Sequence, residues 1–382
     1  MKVKLGDICE ILSGYAFKSK QYVESGCRII RIANVQKGYI EDQNPVYYPV
    51  CDKNAKKYAL QEGDLLISLT GNVGRVGILD VKFLPAALNQ RVACIRIKNS
   101  DLLNERYLFH LLNDDSFEKK CIAASNGVAQ KNLSTEWLKT YEFALPSIDN
   151  QKRIADVLDN VDVSCKLKKR QSKLLEQVVK SRFIEMFGDP VSNNNYLPIK
   201  KLGELGELDR GRSQHRPRNA PELLNGPYPL IQTGEVANSD LFITEYKNTY
   251  SELGLSQSKL WKAGTLCITI AANIAQTAIL TFDACFPDSV VGFIPKSNVN
   301  VVYLHYWFGF FQKILETQAP QVAQKNINLK ILSDLDVMIP SCDQQKQFVD
   351  FVAQVDKSKL AIQKSLEQLE TLKKSLMQEY FG

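Results

Sequence analysis

Histidine is scarce in this chain: His110, His215 and His305 are the only three in 382 residues, and no two of them are spaced as metal ligands on a helix. The nine cysteines are scattered singly with no Cys-x-x-Cys, so a metal centre is not expected and the thiols suit a reducing cytoplasm. Gly-x-Ser-x-Gly and a Walker phosphate loop are both missing, which removes the commonest signatures of hydrolytic and nucleotide chemistry. No run of eighteen apolar residues occurs, and Met1-Lys-Val-Lys-Leu-Gly-Asp7 lacks an apolar signal core. Membrane and secreted readings are therefore weak. These absences predict a cytoplasmic, non-catalytic protein that binds no cofactor or metal of its own.

What the chain does contain, it contains twice. Val128-Ala-Gln-Lys-Asn132 returns as Val322-Ala-Gln-Lys-Asn326, and the match runs without a gap to Gly188 and Gly382, with 22 of 61 residues identical at a constant offset of 194. Fainter echoes lie upstream. Leu5-Gly6-Asp7-Ile8 recurs as Leu202-Gly203-Glu204-Leu205, and Gly63–Asn72 aligns with Gly264–Asn273 at an offset of 201. The frame was duplicated while its loops changed length, which points to two equivalent surfaces.

Each half has two parts. The first, over 1–147 and again over 189–341, alternates short strand-like runs (Cys27–Ile32, Leu65–Leu69, Leu266–Ile270) with Gly, Asn and Asp turns and the matching helices Arg106–Leu112 and Val302–Phe308; the fold class is α+β. The second, over 148–188 and 342–382, follows Leu145-Pro146-Ser147 and Ile339-Pro340-Ser341. Gln151 to Phe187 and Gln345 to Phe381 hold neither proline nor glycine, which predicts rods of roughly 55 Å. Both carry apolar residues at 4,3 spacing. The first stripe is Ile154, Leu158, Val161, Cys165, Lys168, Ser172, Leu175, Val179, Arg182 and Met186. The second is Phe348, Val352, Val355, Lys359, Ile362, Leu366, Leu369, Lys373, Leu376 and Tyr380. Such stripes mark a coiled-coil seam. An antiparallel pair would set the α+β units at opposite ends of a spacer with a pseudo-twofold axis between them; the other reading is that each rod packs only on its own domain.

A net charge of +6 and a pI near 8.7 permit a polyanionic partner without requiring one. Arg210-Gly-Arg212-Ser-Gln214-His215-Arg216-Pro-Arg218 opens the second α+β unit, where Ser13–Lys20, with Lys18 and Lys20, opens the first. Arginine forks onto guanine or phosphate, and amide side chains pair with adenine. By the same chemistry Arg31, Asn34, Gln36 and Lys37, then Thr70, Asn72 and Arg75, then Gln90 and Arg91, are candidate DNA contacts in the first half, with Gln232, Asn273 and Gln276 in the second. Lys131 and Lys325, in the identical Gln-Lys-Asn runs, suit a shared phosphate contact or a shared turn. Gly71, Gly74 and Gly77 form a Gly-x-x-Gly-x-x-Gly run that reads as a hairpin turn, since the second copy lacks all three. Asn44-Pro45-Val46-Tyr47 is one residue short of the adenine amino-methyltransferase pattern, but no glycine-rich cofactor loop accompanies it.

In its organisation the chain resembles the specificity subunit of type I restriction-modification systems. The resemblance spans nearly the whole chain and rests on Leu5–Ile8, Gly63–Ser68, Gly74–Ile78, Gly127–Leu133, Leu145-Pro-Ser-Ile-x-x-Gln151 and their recurrence in order. It implies two target recognition domains binding the halves of a split double-stranded DNA site. It also implies two long helices that set the spacer and dock two modification subunits, which use S-adenosylmethionine to methylate adenine N6. Two restriction subunits would add ATP- and Mg-dependent cleavage. On this resemblance the closely matched helices are the partner surface and the drifting α+β units read DNA. A stand-alone adenine methyltransferase built on Asn44–Tyr47, and a coiled-coil adaptor for proteins alone, are the alternatives.

Overall fold

The computed structural model describes residues 2–125, 131–215, 217–218, 220–271, 274–296, 298–311, 314 and 327–382. Two compact units result, Met1–Lys169 with Lys364–Gly382, and Arg170–Gln363. In the first unit four antiparallel strands run in the order Cys9–Ser13, Val92–Ile97, Leu65–Ser68, Val76–Ile78. Leu65, Ile67 and Ala93 face one core with the helix Glu105–Leu112, and Leu66, Val92 and Cys94 face a second core. Both faces are covered, which is why these strands read as continuous apolar runs instead of alternating ones. A smaller sheet, Tyr47–Tyr48, Cys27–Ile30 and Ala86–Leu88, carries the loops that follow.

The second unit repeats that frame with Gly206–Arg210, Val290–Pro295, Leu266–Thr269 and Thr277–Leu280, adding Phe242–Ile243 in parallel at the edge. The glycine run is a hairpin turn, as its sequence indicates. Gly74 takes φ +86°, and its counterpart Ala275 takes the same left-handed conformation at φ +61°. Their amides donate to Ser68 and Thr269 carbonyls at 3.0 and 2.8 Å. The turn outlived the glycine because its hydrogen bond fixes it.

The long helices are Ile148–Phe187 and Cys342–Phe381, 40 residues each. Within the first unit their stretches run antiparallel: Lys373 donates to Asp162 at 2.5 Å, Lys169 pairs with Glu370 at 3.1 Å, and Met377 packs with Ile154 and Leu158. Within the second unit Phe183 and Phe187 meet Phe348 at ring centroid distances of 5.5 and 5.4 Å. All twenty stripe positions are buried or half-buried. The helices also enter each unit's own core, Leu158 in the cluster that holds Leu108 and Phe348 against the Tyr306 ring at 5.4 Å, so the two packing readings hold together.

One residue at each junction explains part of the repeat. Gln151, fully buried, donates to the carbonyls of Leu102 and Pro146 and accepts from the Asn104 amide at 3.0, 2.9 and 2.8 Å. Gln345 does the same with Asn298, Pro340 and Asn300. Three backbone groups buried where strand gives way to helix would otherwise be unsatisfied. Identity here serves the fold itself.

Candidate nucleic-acid interface

In the first unit the turn after strand Cys27–Ile30 brings several of the expected residues together. A cavity of about 680 Å³ is lined by Arg31, Glu41, Gln43, Asn44, Asn89, Gln90 and Arg91, with Ile32 and Ala33. Arg31 donates from Nη2 to the Asn44 carbonyl at 2.6 Å, and its Nε is buried without a partner among the described residues. Behind the wall, Arg75 Nη1 donates to Gln36 Oε1 at 2.7 Å, and Gln36 Nε2 donates to Glu41 Oε2 at 3.1 Å. Arg28 lies under the same loop, 6% exposed, paired with Asp42 and stacked on Phe83.

Asn34 corrects the sequence reading. It is 2% exposed, and its amide is fully engaged: Oδ1 accepts from the Arg31 amide at 3.0 Å, while Nδ2 donates to the Glu41 and Gln43 carbonyls at 3.2 Å. A group so enclosed shapes the loop and meets no base. Glu235 closes the equivalent turn in the second unit by accepting from the Gln232 amide at 3.2 Å. Lys37 also departs from expectation, because it is held by Asp115 at 2.6 Å and Glu118 at 2.9 Å. Burial alone would lower its pKa, and those two carboxylates raise it instead. Its charge is already compensated.

The other first-unit candidates lie around this centre. Thr70 bonds Asn132 at 3.2 Å, and the Gly71 amide donates to the Lys131 carbonyl at 3.1 Å; Asn72 and Lys131 are exposed beside that pairing. This favours the shared-turn reading of the repeated Lys-Asn. Lys18 and Lys20 are exposed above an aromatic cluster of Tyr15, Phe17, Tyr22 and Tyr48. Tyr15 ties them to the cavity wall, since its carbonyl accepts from the Gln90 amide at 3.0 Å.

The second unit supplies its cations from a different place. Arg210 Nε donates to the Asp288 carbonyl at 3.1 Å and Arg218 Nη2 to its carboxylate at 2.5 Å. Arg212 lies 3.9 Å from Asp209, which Lys259 holds at 2.9 Å while lying 3.8 Å from the Trp261 ring centre. Burial alone would raise the pKa of Asp209, but the hydrogen bond and charge of Lys259 hold it below the usual carboxylate range. Gln257 Oε1 accepts from the Gln214 and His215 amides at 2.6 and 3.0 Å. Acid groups therefore orient the arginine loop. Gln232 and Gln276 are exposed elsewhere, Gln276 lining a cavity of about 510 Å³ with Glu176, Lys180, Asp240 and Lys359. Arg216, Asn273 and Lys325 lie outside the described residues.

Glu41, Asp209, Lys259 and Asp288 were not foreseen. Asp288 occupies the place of Gln90, since Val92 pairs with Ser68 as Val290 pairs with Thr269; where the first unit has Asn89-Gln90-Arg91 the second has Pro287-Asp288-Ser289 and draws arginines onto the aspartate. Asn44-Pro45-Val46-Tyr47 is a turn into a strand: Asn44 has φ +48°, and the Val46 carbonyl accepts from the Ile29 amide at 2.9 Å. Among the described residues, no helix is long and apolar enough to cross a membrane.

Comparison with known proteins places this geometry. The family profile of the type I restriction modification DNA specificity domain matches residues 1–177 and again 197–373. The specificity subunit of the Escherichia coli type I restriction enzyme EcoBI is 24% identical, the match covering 100% of this chain and 85% of that protein. A putative type I restriction enzyme specificity subunit, MjaX of Methanocaldococcus jannaschii, is 23% identical over 98% of this chain and 91% of its own. Among solved structures, a chain of a type I R-M system studied for complex assembly and conformational transition matches with a TM-score of 0.63 at 17% identity, over 100% of this chain and 97% of that one. The S subunit from M. genitalium matches with a TM-score of 0.57 at 13% identity, over 100% and 96%. These two likenesses show the fold.

Proposed function

The chain belongs to the type I restriction modification DNA specificity family, and we propose from that membership that it is the non-catalytic recognition subunit of such a system. Each unit binds one half of a bipartite double-stranded DNA site. The long helices fix the spacer and dock two modification subunits, which methylate adenine N6 with S-adenosylmethionine. Two restriction subunits add ATP- and Mg-dependent cleavage, and the assembly works in the cytoplasm. This chain itself holds no cofactor.

The observation that carries the reading is where the two units agree and where they differ. Exposed identities recur on the helices as Glu176, Lys180, Ser181 and Glu185 against Glu370, Lys374, Ser375 and Glu379, and of these Glu370 and Glu185 also pair with Lys169 and Arg182. One partner meeting the chain twice would require such a pair of patches. The loops differ instead: Arg31, Gln90 and Arg91 in one unit, Arg210, Arg212 and Arg218 in the other. Different loops on one frame suit different half-sites.

The test is selection of randomised duplex DNA by the chain co-purified with its modification partner. Two short motifs at a fixed separation are expected, with affinity falling about a thousand-fold or more between roughly 50 and 200 mM salt as counterions are released. Binding indifferent to sequence and salt would overturn the proposal. DNA methylation by this chain without a partner would favour the stand-alone methyltransferase.

A further inference from the structure

We infer that Glu41 is a specificity-determining residue of the first unit, accepting a hydrogen bond from the exocyclic amino group of a base, cytosine N4 or adenine N6, in that unit's half-site. This rests on the DNA-recognition reading and deepens it. A carboxylate is out of place in a cavity otherwise lined by Arg31, Gln43, Asn44, Gln90 and Arg91. Toward a phosphate it is repulsive, and the ring and bridging oxygens of deoxyribose only accept. The donors that duplex DNA offers are base amines, and in the major groove these belong to cytosine and adenine.

The side chain is also set in advance. The Glu41 amide donates to the Asn34 carbonyl at 2.7 Å, and buried Asn34 returns a bond to the Glu41 carbonyl at 3.2 Å. Because Arg75 donates to Gln36 Oε1, the Gln36 amide must turn its NH2 toward Glu41, where it meets Oε2 at 3.1 Å. That orientation follows from the donor inventory of the two groups. Glu41 Oε1 is left with no partner among the described residues. A guanidinium, an amide and a carboxylate in series hold one oxygen ready for a donor that the described residues do not supply. The frame does not demand this: Glu41 follows strand Tyr39–Ile40, and the residue following the equivalent strand Phe242–Ile243 is Thr244.

The experiment compares methylomes of a host lacking other methyltransferases and carrying the complete system, either wild type or Glu41→Gln. The wild type is expected to require cytosine or adenine at one position of one half-site. In E41Q, whose amide both donates and accepts, that single position is expected to relax toward thymine and guanine, with about ten-fold or more loss of preference. The base required by the wild type at the relaxed position distinguishes cytosine from adenine. An unchanged motif with uniformly tighter binding would overturn the inference, since Glu41 would then be a surface charge repelling phosphate. A relaxed position that reads guanine or thymine in the wild type would overturn it as well. If E41Q melts too low to assay, Gln36→Ala, which releases Oε2, is expected to relax the same position more weakly, and an unchanged motif in that variant overturns the inference too. A wild-type system with no bipartite motif would instead remove the recognition reading beneath it.

Discussion

Asn34 and Glu41 lie seven residues apart in one loop and exchange the roles that their chemistry alone would assign. An asparagine on a turn has the amide that pairs with adenine, and it also has the short side chain that closes a turn on itself. Here the turn holds it, because three backbone groups of the loop, the Arg31 amide and the Glu41 and Gln43 carbonyls, bond to the buried amide. The acidic residue is the one left facing outward. Arg31, Gln36, Arg75, Gln90 and Arg91 were legible as candidates because long polar side chains cluster around turns in the sequence. Glu41 was not, since an acid in a loop carries no signature until its neighbours are known. Arg218 gave no hint of its partner either, because Asp288 lies 70 residues away. A second cluster makes a pH prediction. His110, 1% exposed, meets Asp159 Oδ1 at 2.8 Å, and Arg106 binds the same carboxylate at 2.5 Å. Burial lowers the pKa of His110 below its ordinary 6.5, outweighing the bond to Asp159. The unfolded chain then takes up that proton first, so this contribution is complete above 6.5 and is lost as pH falls below it. Asp159 behaves in the same sense at lower pH. Burial alone would raise its pKa, but the hydrogen bonds from Arg106 and His110 hold it below 3.8. Urea denaturation over a pH series should show stability falling between about pH 7 and about pH 5.5. His110→Gln keeps a donor for Asp159 without titrating and should flatten part of that fall. His305, pushed by burial down to about 4, keeps the remainder. A slope identical in variant and wild type would show that His110 contributes nothing to it.

At the scale of elements, the long helices were the most legible feature and the least complete. Every position the period picked out is buried or half-buried, but it passed over Phe183, Phe187 and Met377, which also pack between the helices. It could not say that the seam would be shared with each unit's own core, because the partners of Leu158 and Phe348 come from strands and helices far away in sequence. Nor could identity between the halves separate its causes. Gln151 and Gln345 match because both satisfy buried backbone groups at a junction. Lys180 and Lys374 match on exposed helix surface, where no fold requirement applies. The proposed docking role belongs to the second kind. Reversing one of these charges, Lys180→Glu or Lys374→Glu, should lower the amount of modification subunit recovered with the chain to about half, and reversing both should nearly abolish it while leaving the helical circular dichroism unchanged. Full recovery in the double variant would move the docking surface elsewhere. Near-complete loss in a single variant, as large as in the double, would mean that one partner, not two, is bound.

For the whole molecule, the duplication was plain in the sequence, whereas the DNA sequence it reads stayed hidden, because that depends on loop geometry that residue order alone does not supply. Between these lies the spacer. The boundaries between units fall inside the long helices, at 169/170 and 363/364, so each helix is continuous from one unit into the other. If these helices set the distance between half-sites, their length is a variable that can be changed without touching a recognition loop. Inserting four residues after Lys168 and four more after Ile362, positions related by the 194 offset, adds about 6 Å to each helix. Four residues are close to one turn, so the apolar stripes stay nearly in phase and the pairing survives as a local stutter. With base pairs about 3.4 Å apart, the permitted separation should lengthen by about one or two pairs while both half-site motifs remain as they were. Methylome sequencing of a host carrying the lengthened variant reads both quantities at once. A changed half-site with an unchanged separation would show that the helices hold the recognition loops in shape and do not measure the distance between them.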